Sequence, residues 1–269
     1  MIIGSKKFDT DNRTYIMGIL NVTPDSFSDG GRYPSIDAAC LQAEKMISEG
    51  ADILDVGGES TRPDHVQISD EEEIFRVVPV IEALKKRFDV PVSVDTYKSK
   101  VAKEAIFAGA DMINDIWGLK YDKKMADVIA ESKVSCCLMH NRKDTEYQNF
   151  IMDVLEDLQD SIRIAKKHGI ADKKIILDPG IGFAKTYEMN LKILNHLEEL
   201  LQLNYPILLG TSRKSVIGRT LDLPVTEREE GTLATTVIGL MKGCSFVRVH
   251  DVQANYRAIK MAEAILRER

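Results

Sequence analysis

The chain has 269 residues, of which 44% are hydrophobic and 29% are charged, and its formal net charge is -6. These values suit one globular domain with a sizeable apolar core. The negative net charge argues against a nucleic-acid-binding domain, which is usually basic. No apolar run reaches the roughly 18 residues of a membrane span, and residues 1–10 lack the apolar core of a secretory signal. The four cysteines show no metal-binding spacing. We therefore expect a soluble cytoplasmic protein with buried thiols and no nucleic-acid or membrane partner.

Eight short apolar runs alternate with helical stretches along the chain. The runs are residues 15–21, 52–56, 90–95, 112–115, 135–140, 174–178, 206–212 and 246–251. Near-continuous apolar strands that alternate with helices are typical of a parallel sheet covered by helices. Eight such units fit a closed barrel, which takes about 250 residues. The sequence therefore predicts an α/β fold: a (β/α)8 TIM barrel in which residues 1–269 form a single domain.

The remaining segments carry turn and helix signals. Residues 2–14 contain a Thr-Asp-Asn turn signal between two extended pieces, which predicts a small hairpin at the bottom of the barrel. Ser69 and Glu72 form a capping box before a helix in which Pro79 allows a kink. The predicted helices span residues 35–50, 72–88, 98–108, 122–132, 149–168, 187–203, 227–242 and 252–266.

Polar residues end the apolar runs, and the carboxyl ends of barrel strands form the active face of this fold. Asp95, Asn114 and Asp178 supply two carboxylates and an amide from three strands. Such buried groups usually meet a cation, a metal or a hydrogen-bonding ligand, for example a 2-amino-4-oxo pyrimidine ring. The alternative is support for neighbouring loops, which applies more strongly to Asp55, Asp115 and Asp251. Three apolar residues could wall a flat ring, although each is individually more typical of a core: Ile116, Met139 and Phe183.

Two loops on this face are unusually long. Residues 21–31 are rich in oxygen-bearing side chains that suit Mg²⁺, but composition alone favours a turn that hydrogen-bonds its own backbone. In residues 57–63, Arg62 could hold a phosphate or an aromatic carboxylate, or it could pair with a surface acid.

The last two runs indicate an anion site. Arg248 and His250 are two residues apart, so on a strand they would share a face. Anions often bind between the last two strands of such barrels, here beside residues 210–215. This pattern favours an anion site over a structural ion pair for Arg248. Three other histidines are more typical of solvated or packed positions: His65, His168 and His196.

Seven segments together resemble the dihydropteroate synthase family, in the same order and over nearly the whole chain. They are NVTPDSFSDGG (21–31), DVGGESTRP (55–63), SVDTYK (93–98), IND (113–115), DPGIGF (178–183), SRKS (212–215) and RVHD (248–251). The resemblance implies a (β/α)8 barrel of folate biosynthesis, a homodimer and a sulfonamide target. It implies a transferase that joins p-aminobenzoate to 6-hydroxymethyl-7,8-dihydropterin diphosphate and releases pyrophosphate and 7,8-dihydropteroate.

The resemblance also implies roles for matching residues. The pterin diphosphate would contact Thr61, Asp95, Asn114, Met139, Asp178, Phe183, Gly210, Lys214, Arg248 and His250. The p-aminobenzoate would contact Phe27, Arg62, Pro63, Lys214 and Ser215. The catalytic residues would be Lys214, Asp95 and Arg248, and Asn21 would bind the Mg²⁺ cofactor.

Two alternatives remain open. A related barrel that transfers a methyl group from a folate would share the pterin carboxylates but would not need the diphosphate set of Asn21, Thr61, Arg248 and His250. A non-catalytic pterin-binding paralogue would not need both substrate loops, which are intact here. The segment 64–65 and residues 141–149 depart from the family pattern without removing a reacting group.

Overall fold

A computed structural model describes residues 1–23, 36–60 and 66–268. The strands within these residues are β1 (Ile2–Ile3), β2 (Lys6–Lys7), β3 (Tyr15–Asn21), β4 (Ile53–Gly57), β5 (Val92–Asp95), β6 (Met112–Asp115), β7 (Ser135–Met139), β8 (Ile175–Asp178), β9 (Leu208–Leu209) and β10 (Phe246–Val249). The eight strands β3 to β10 are parallel and form a barrel in the order β8-β7-β6-β5-β4-β3-β10-β9. A parallel bridge between Leu177 and Ile207 joins the two ends of this order. The predicted (β/α)8 barrel is confirmed.

Helices cover the outside of the barrel. The described α-helices are α1 (Ile36–Ser48), α2 (Asp70–Arg87), α3 (Ser99–Phe107), α4 (Met125–Ser132), α5 (Phe150–Lys167), α6 (Tyr187–Asn195), α7 (Ser215–Leu221), α8 (Glu229–Met241) and α9 (Val252–Arg267). They pack on the strands through one apolar face, as α5 does with Val154, Leu158 and Ile162. No helix in the described ranges is long and apolar enough to cross a membrane.

The cap of α2 follows the sequence signal in part. The Ser69 hydroxyl accepts a hydrogen bond from the Glu72 N–H at 3.1 Å, as an N-cap residue should. The Glu72 carboxylate pairs with Arg76 at 2.9 Å. The helix then runs through Pro79 to Arg87 as one element.

The amino-terminal hairpin exists, but the predicted position of its turn is wrong. Ile2 pairs with Lys7 and Ile3 with Lys6, so the turn is Gly4-Ser5, where Gly4 has a φ of 56°. Glycine takes this left-handed conformation without steric cost, which explains the turn. The side chains of Ile3 and Phe8 pack against Met17 and other residues inside the barrel. The hairpin therefore closes the bottom of the barrel, as predicted.

Two predicted elements differ from the structure. The seventh strand of the barrel, β9, is only Leu208–Leu209. Before it, Pro206 has no N–H to donate and Ile207 forms an isolated bridge with Leu177; after Leu209 the chain leaves the ladder. The predicted helix over 187–203 is α6 followed by a 3₁₀ helix, Leu197–Leu203. Leu197 and Leu200 are both buried, and their spacing of three places them on one face of a 3₁₀ helix. The helix α7 was not predicted.

The cysteine prediction is confirmed. Cys40, Cys136, Cys137 and Cys244 are free thiols, and each is buried. Burial raises the pKa of all four thiols, so they remain protonated and unreactive at neutral pH.

Candidate active site at the carboxyl ends of the strands

A buried polar cluster joins four strands, β4, β5, β6 and β10, at the mouth of the barrel. Arg248 donates from Nε to Asp55 Oδ2 and from Nη2 to Asp95 Oδ2, each at 2.6 Å. Asn114 donates to the same Asp55 oxygen at 3.1 Å. Arg248 thus has two carboxylate partners. The sequence favoured an anion site over a structural ion pair for Arg248, and the structure shows the ion pair.

The charges in this cluster shift each other's protonation. Burial alone would lower the pKa of the Arg248 guanidinium. The attraction of the Asp55 and Asp95 carboxylates outweighs the effect of burial and raises that pKa. Burial raises the pKa of Asp95, and the attraction of Arg248 offsets only part of that effect. Within the described residues, Asp95 Oδ1 is buried without a hydrogen-bond partner. Because an unpaired buried acceptor costs free energy, this oxygen is a candidate to receive a ligand N–H.

Asp178 and Lys214 add a second pair of charges. Asp178 Oδ1 accepts the Gly180 N–H at 2.7 Å, and burial raises the pKa of this carboxyl. Burial also lowers the pKa of Lys214 to about 8, although Asp178 partly restores it. The Lys214 ammonium donates to the carbonyl of Ile181 and lies 4.5 Å from the centre of the Phe183 ring.

Apolar side chains form a wall beside these charges. Tyr97, Ile116 and Met139 make a buried cluster separate from the main core, with Trp117 and Phe183 packed against it. The three residues predicted to flank a flat ring therefore belong to one group. The backbone at Gly210 adds room, because a Cβ there would lie 3.7 Å from Asp178 Oδ2.

The strand limits correct the predicted placement of His250. β10 ends at Val249, so Arg248 lies in the strand and His250 follows it. The N–H of His250 bonds the Ser212 hydroxyl at 3.2 Å, and the same hydroxyl lies 2.9 Å from His250 Nδ1. Side-chain bonds to the seventh loop replace the sheet ladder at this point.

Arg213 was not singled out from the sequence. It precedes Lys214 with a φ of 58°, a conformation that costs free energy in a residue with a side chain. Asp251 holds it through two hydrogen bonds, from Nε at 3.0 Å and from Nη2 at 2.5 Å. The predicted supporting role of Asp251 is consistent with this pair, which fixes the turn that presents Lys214.

Asp115 also supports a loop. Its carboxylate accepts the N–H groups of Trp117 at 2.8 Å and Leu119 at 2.7 Å, and burial raises its pKa to about 6. The same strand end therefore offers Asn114 to the pocket and uses Asp115 to shape the loop.

Asn21 ends β3 next to the cluster. In the sheet register Gly57 pairs with both Asn21 and Asp95. A Cβ on Gly57 would lie 3.4 Å from Asn21 Oδ1 and 3.7 Å from Asp95 Cβ, so glycine keeps this space open. Over residues 1–23, 36–60 and 66–268, no group of three or more His, Cys, Asp or Glu side chains could hold a metal ion.

Four predicted site residues lie outside the described residues: Phe27, Thr61, Arg62 and Pro63. Ser215 is exposed at the start of α7, directly after Lys214.

A buried ionic network lies at the base of the second loop. Lys98 Nζ contacts Glu59 Oε2 at 2.6 Å and Glu73 Oε2 at 2.8 Å. Glu59 also accepts the Tyr97 hydroxyl at 2.5 Å and the Ile68 N–H at 3.1 Å. The network joins Glu59 to Ile68, on the other side of residues 61–65. Sequence reasoning missed it because its members come from three separate elements, although Glu59 and Lys98 lie inside two of the motifs.

The mouth of the barrel thus combines paired carboxylates, an amide and a half-buried lysine beside an apolar wall, which is typical of a pocket for a flat polar ring. The family model for pterin binding enzymes matches residues 17–250, which places the chain in that class.

Known proteins narrow the class. A dihydropteroate synthase from Clostridium beijerinckii is 63% identical over 268 residues, which is 99% of this chain and 100% of that protein. The structure of dihydropteroate synthase from Clostridium difficile with pteroic acid has a TM-score of 0.95 and 51% identity, covering 97% of this chain and 100% of that one. The Xanthomonas albilineans dihydropteroate synthase with 4-aminobenzoic acid has a TM-score of 0.91 and 40% identity, covering 95% and 94%. This chain belongs to the dihydropteroate synthase family.

Proposed function

We propose that this chain is a transferase of folate biosynthesis. It condenses 6-hydroxymethyl-7,8-dihydropterin diphosphate with p-aminobenzoate to give 7,8-dihydropteroate and pyrophosphate. The observation that carries the proposal is the convergence of Asp95, Asn114, Asp178 and Lys214 at one mouth of the barrel, in a chain with such close relatives.

The pterin ring would bind among these polar groups. Asp95 has an unpartnered buried oxygen and Asp178 a carboxylate near Lys214, so both can accept N–H groups from an aminopyrimidine edge. Asn114 is fixed by Asp55 and offers an amide to the same ring. Met139 and Phe183 would lie against its faces, with the backbone at Gly210 close by.

The diphosphate would bind toward the last strand and the first two loops. Thr61, Arg248 and His250 are the proposed contacts, with Asn21 for the metal. Mg²⁺ takes hard oxygen ligands, keeps several waters and often binds one or two protein groups together with phosphate oxygens. The amide oxygen of Asn21 fits that donor set, and a bound Mg²⁺ would neutralise negative charge on the diphosphate.

The chemical step needs no protein nucleophile. The bond between the pterin methylene carbon and oxygen breaks, and its electron pair leaves with pyrophosphate. The dihydropterin ring delocalises the positive charge that develops on carbon. The lone pair of the p-aminobenzoate nitrogen then forms the new C–N bond, and the nitrogen loses a proton. Arg248 and Lys214 stabilise the growing negative charge because their cationic groups are already oriented by the protein.

The p-aminobenzoate would bind on the outer side of the pterin. Phe27, Arg62, Pro63 and Ser215 are its proposed contacts, and Lys214 lies between the two substrates. The adjacency of Lys214 to Ser215 at the start of α7 supports this division.

We also propose a homodimer, a single domain over residues 1–269 and a cytoplasmic location. Exposed apolar side chains on α8 and α9 support a partner surface: Ile238, Met241, Met261 and Ile265. The four free buried thiols support a reducing compartment. Light scattering of the purified protein tests the dimer, and a monomeric mass at micromolar concentration would contradict it.

One incubation separates the candidate functions. The purified protein is mixed with both substrates and Mg²⁺, and dihydropteroate and pyrophosphate are measured together. The proposal predicts equal amounts of both products. A methyl-transferring barrel or a non-catalytic pterin-binding protein would give neither product.

A further inference from the structure

Lys185 holds a loop of the candidate site through all of its donors. Its ammonium contacts the carbonyl oxygens of Gly180 at 2.9 Å and Phe183 at 3.0 Å. It also lies 2.8 Å from His140 Nδ1. Burial lowers the pKa of Lys185 to about 7, and in the charged form the ammonium carries three N–H groups, so these three acceptors use its full donor capacity.

His140 is held in the form that accepts this bond. Its side chain is buried, and burial lowers its pKa to about 4, with a further contribution from the charge of Lys185. The ring is therefore neutral at pH 7. Because Nδ1 accepts from Lys185, the proton belongs on Nε2, which lies 2.9 Å from Asp157 Oδ2. Arg142 donates to the same oxygen at 2.5 Å, which fixes the far end of this chain of bonds.

The supported loop carries parts of the pterin site. The carbonyl of Ile181, between the two carbonyls held by Lys185, accepts a hydrogen bond from Lys214. The ring of Phe183 lies beneath the Lys214 ammonium. Two lysines from different parts of the chain thus hold neighbouring carbonyls of one short loop.

The backbone of this loop depends on such external bonds. Gly180 and Gly182 have φ angles of 70° and 82°, and Ala184 has 45°. Alternating left-handed residues cannot form a helix or a strand, so the carbonyls of this segment need partners outside a regular ladder. Lys185 donates to those of Gly180 and Phe183, and the Gly180 carbonyl also accepts the Phe183 N–H at 3.1 Å.

We propose that Lys185 is a positioning residue for the pterin site. By binding the carbonyls of Gly180 and Phe183 against His140, it fixes the Phe183 ring and the Ile181 carbonyl where the pterin and Lys214 require them. Lys185 acts through the loop, because its own donors are directed to protein atoms. This inference rests on the proposed function.

The test replaces Lys185 by methionine, which keeps most of the side-chain length and removes the ammonium. Loss of loop position should raise KM for the dihydropterin diphosphate about tenfold or more while KM for p-aminobenzoate changes less than about twofold. The affinity for 6-hydroxymethylpterin, measured by its own fluorescence without catalysis, should fall by a similar factor. Lys185→Arg retains a cation with several donors. Its KM for the dihydropterin diphosphate should therefore lie between those of the wild type and Lys185→Met.

Lys242→Met is the matched control. Lys242 also donates to a backbone carbonyl, that of Asn195 at 2.7 Å, but it lies after α8 and away from the mouth of the barrel. This variant should keep both KM values. A lower kcat with both KM values unchanged in Lys185→Met would show a merely structural role and overturn the inference. Equal losses of pterin affinity in Lys185→Met and Lys242→Met would also overturn it.

If Lys185→Met does not fold, unchanged pterin affinity in Lys185→Arg and in His140→Gln would overturn the inference. A wild type that binds pterin but forms no dihydropteroate would contradict the proposed function alone, since the fluorescence titration still tests Lys185.

Discussion

At the scale of single residues, Lys214 is a proposed catalytic group whose protonation changes near physiological pH. Burial lowers its pKa to about 8, so the cation predominates below that pH and is lost as the pH rises through it. Since the cation is the form that can stabilise the leaving diphosphate, kcat/KM for the dihydropterin diphosphate should fall above about pH 8. A pH–rate profile measures this directly.

Lys214→Arg is the control for this assignment. A guanidinium stays charged throughout the accessible range, so the fall between about pH 8 and 10 should shrink or disappear even if the absolute rate is lower. A fall centred near pH 7 would instead come from another group, such as Lys185, whose pKa burial lowers to about 7. Superimposable profiles for the wild type and Lys214→Arg would exclude Lys214 as the titrating group.

Asn21 gives a second prediction at this scale. If its amide oxygen binds Mg²⁺, Asn21→Ala should raise the Mg²⁺ concentration for half-maximal activity by about tenfold, since one ligand is lost. Asn12→Ala is the matched control, because Asn12 bonds only to Asp9 among the described contacts and lies in an exposed turn. The same Mg²⁺ titration for Asn21→Ala and the wild type would remove Asn21 from the metal site.

At the scale of elements, the loop after β8 is the most constrained segment of the site. Gly180 has a φ of 70°, and a Cβ there would lie 2.0 Å from the carbonyl oxygen of His140. Backbone must therefore move in Gly180→Ala, and we expect a loss of about 3 kcal/mol of unfolding free energy together with weaker pterin binding.

A second glycine isolates the effect of the clash. Gly169 has a φ of 87° with nothing within 4 Å of an added Cβ. Gly169→Ala should therefore cost only about 1 kcal/mol, the penalty of the left-handed backbone itself. Urea denaturation measures the unfolding free energy of both variants. Equal losses of unfolding free energy would mean that the contact with His140 has no energetic consequence.

The elements themselves were largely predictable, because their signals are local. Apolar runs predict the strands, and a capping residue predicts the start of α2, without any tertiary contact. The failures also have local causes that the patterns hide. Pro206 shortened the seventh strand, and the Gly4-Ser5 turn was overlooked beside the stronger Thr-Asp-Asn signal. His250 bonds the Ser212 hydroxyl through its N–H and lies beyond the end of β10.

The supporting contacts of the site could not be predicted in this way. Lys98 reaches Glu59 across 39 positions, and Lys185 reaches His140 across 45. Such pairs depend on how the strands are ordered around the barrel, and neither composition nor periodicity encodes them. The residues of the pocket were found because strand ends converge in this fold, whereas the residues behind them have no equivalent signal.

At the scale of the whole molecule, the buried network at Lys98 links the barrel to the second loop. Lys98→Met would leave Glu59 and Glu73 buried without their cation, and we expect it to cost about 3–5 kcal/mol of unfolding free energy. Lys100→Met is the matched control, since Lys100 pairs with Glu71 on the exposed surface and should change stability little. Chemical denaturation measures both, and a Lys98→Met protein as stable as Lys100→Met would contradict the role given to this network.

The central claim is that the pocket of Asp95, Asn114, Asp178 and Lys214 binds the dihydropterin for transfer to p-aminobenzoate. The most direct measurement is the rate of dihydropteroate formation by Asp178→Ala, with Asp127→Ala as a control on the surface, where Asp127 pairs with His168. The account predicts that Asp178→Ala folds, as judged by circular dichroism, and forms dihydropteroate at least about a hundredfold more slowly than the wild type. Asp127→Ala should keep the wild-type rate. Near-normal turnover by folded Asp178→Ala would contradict it.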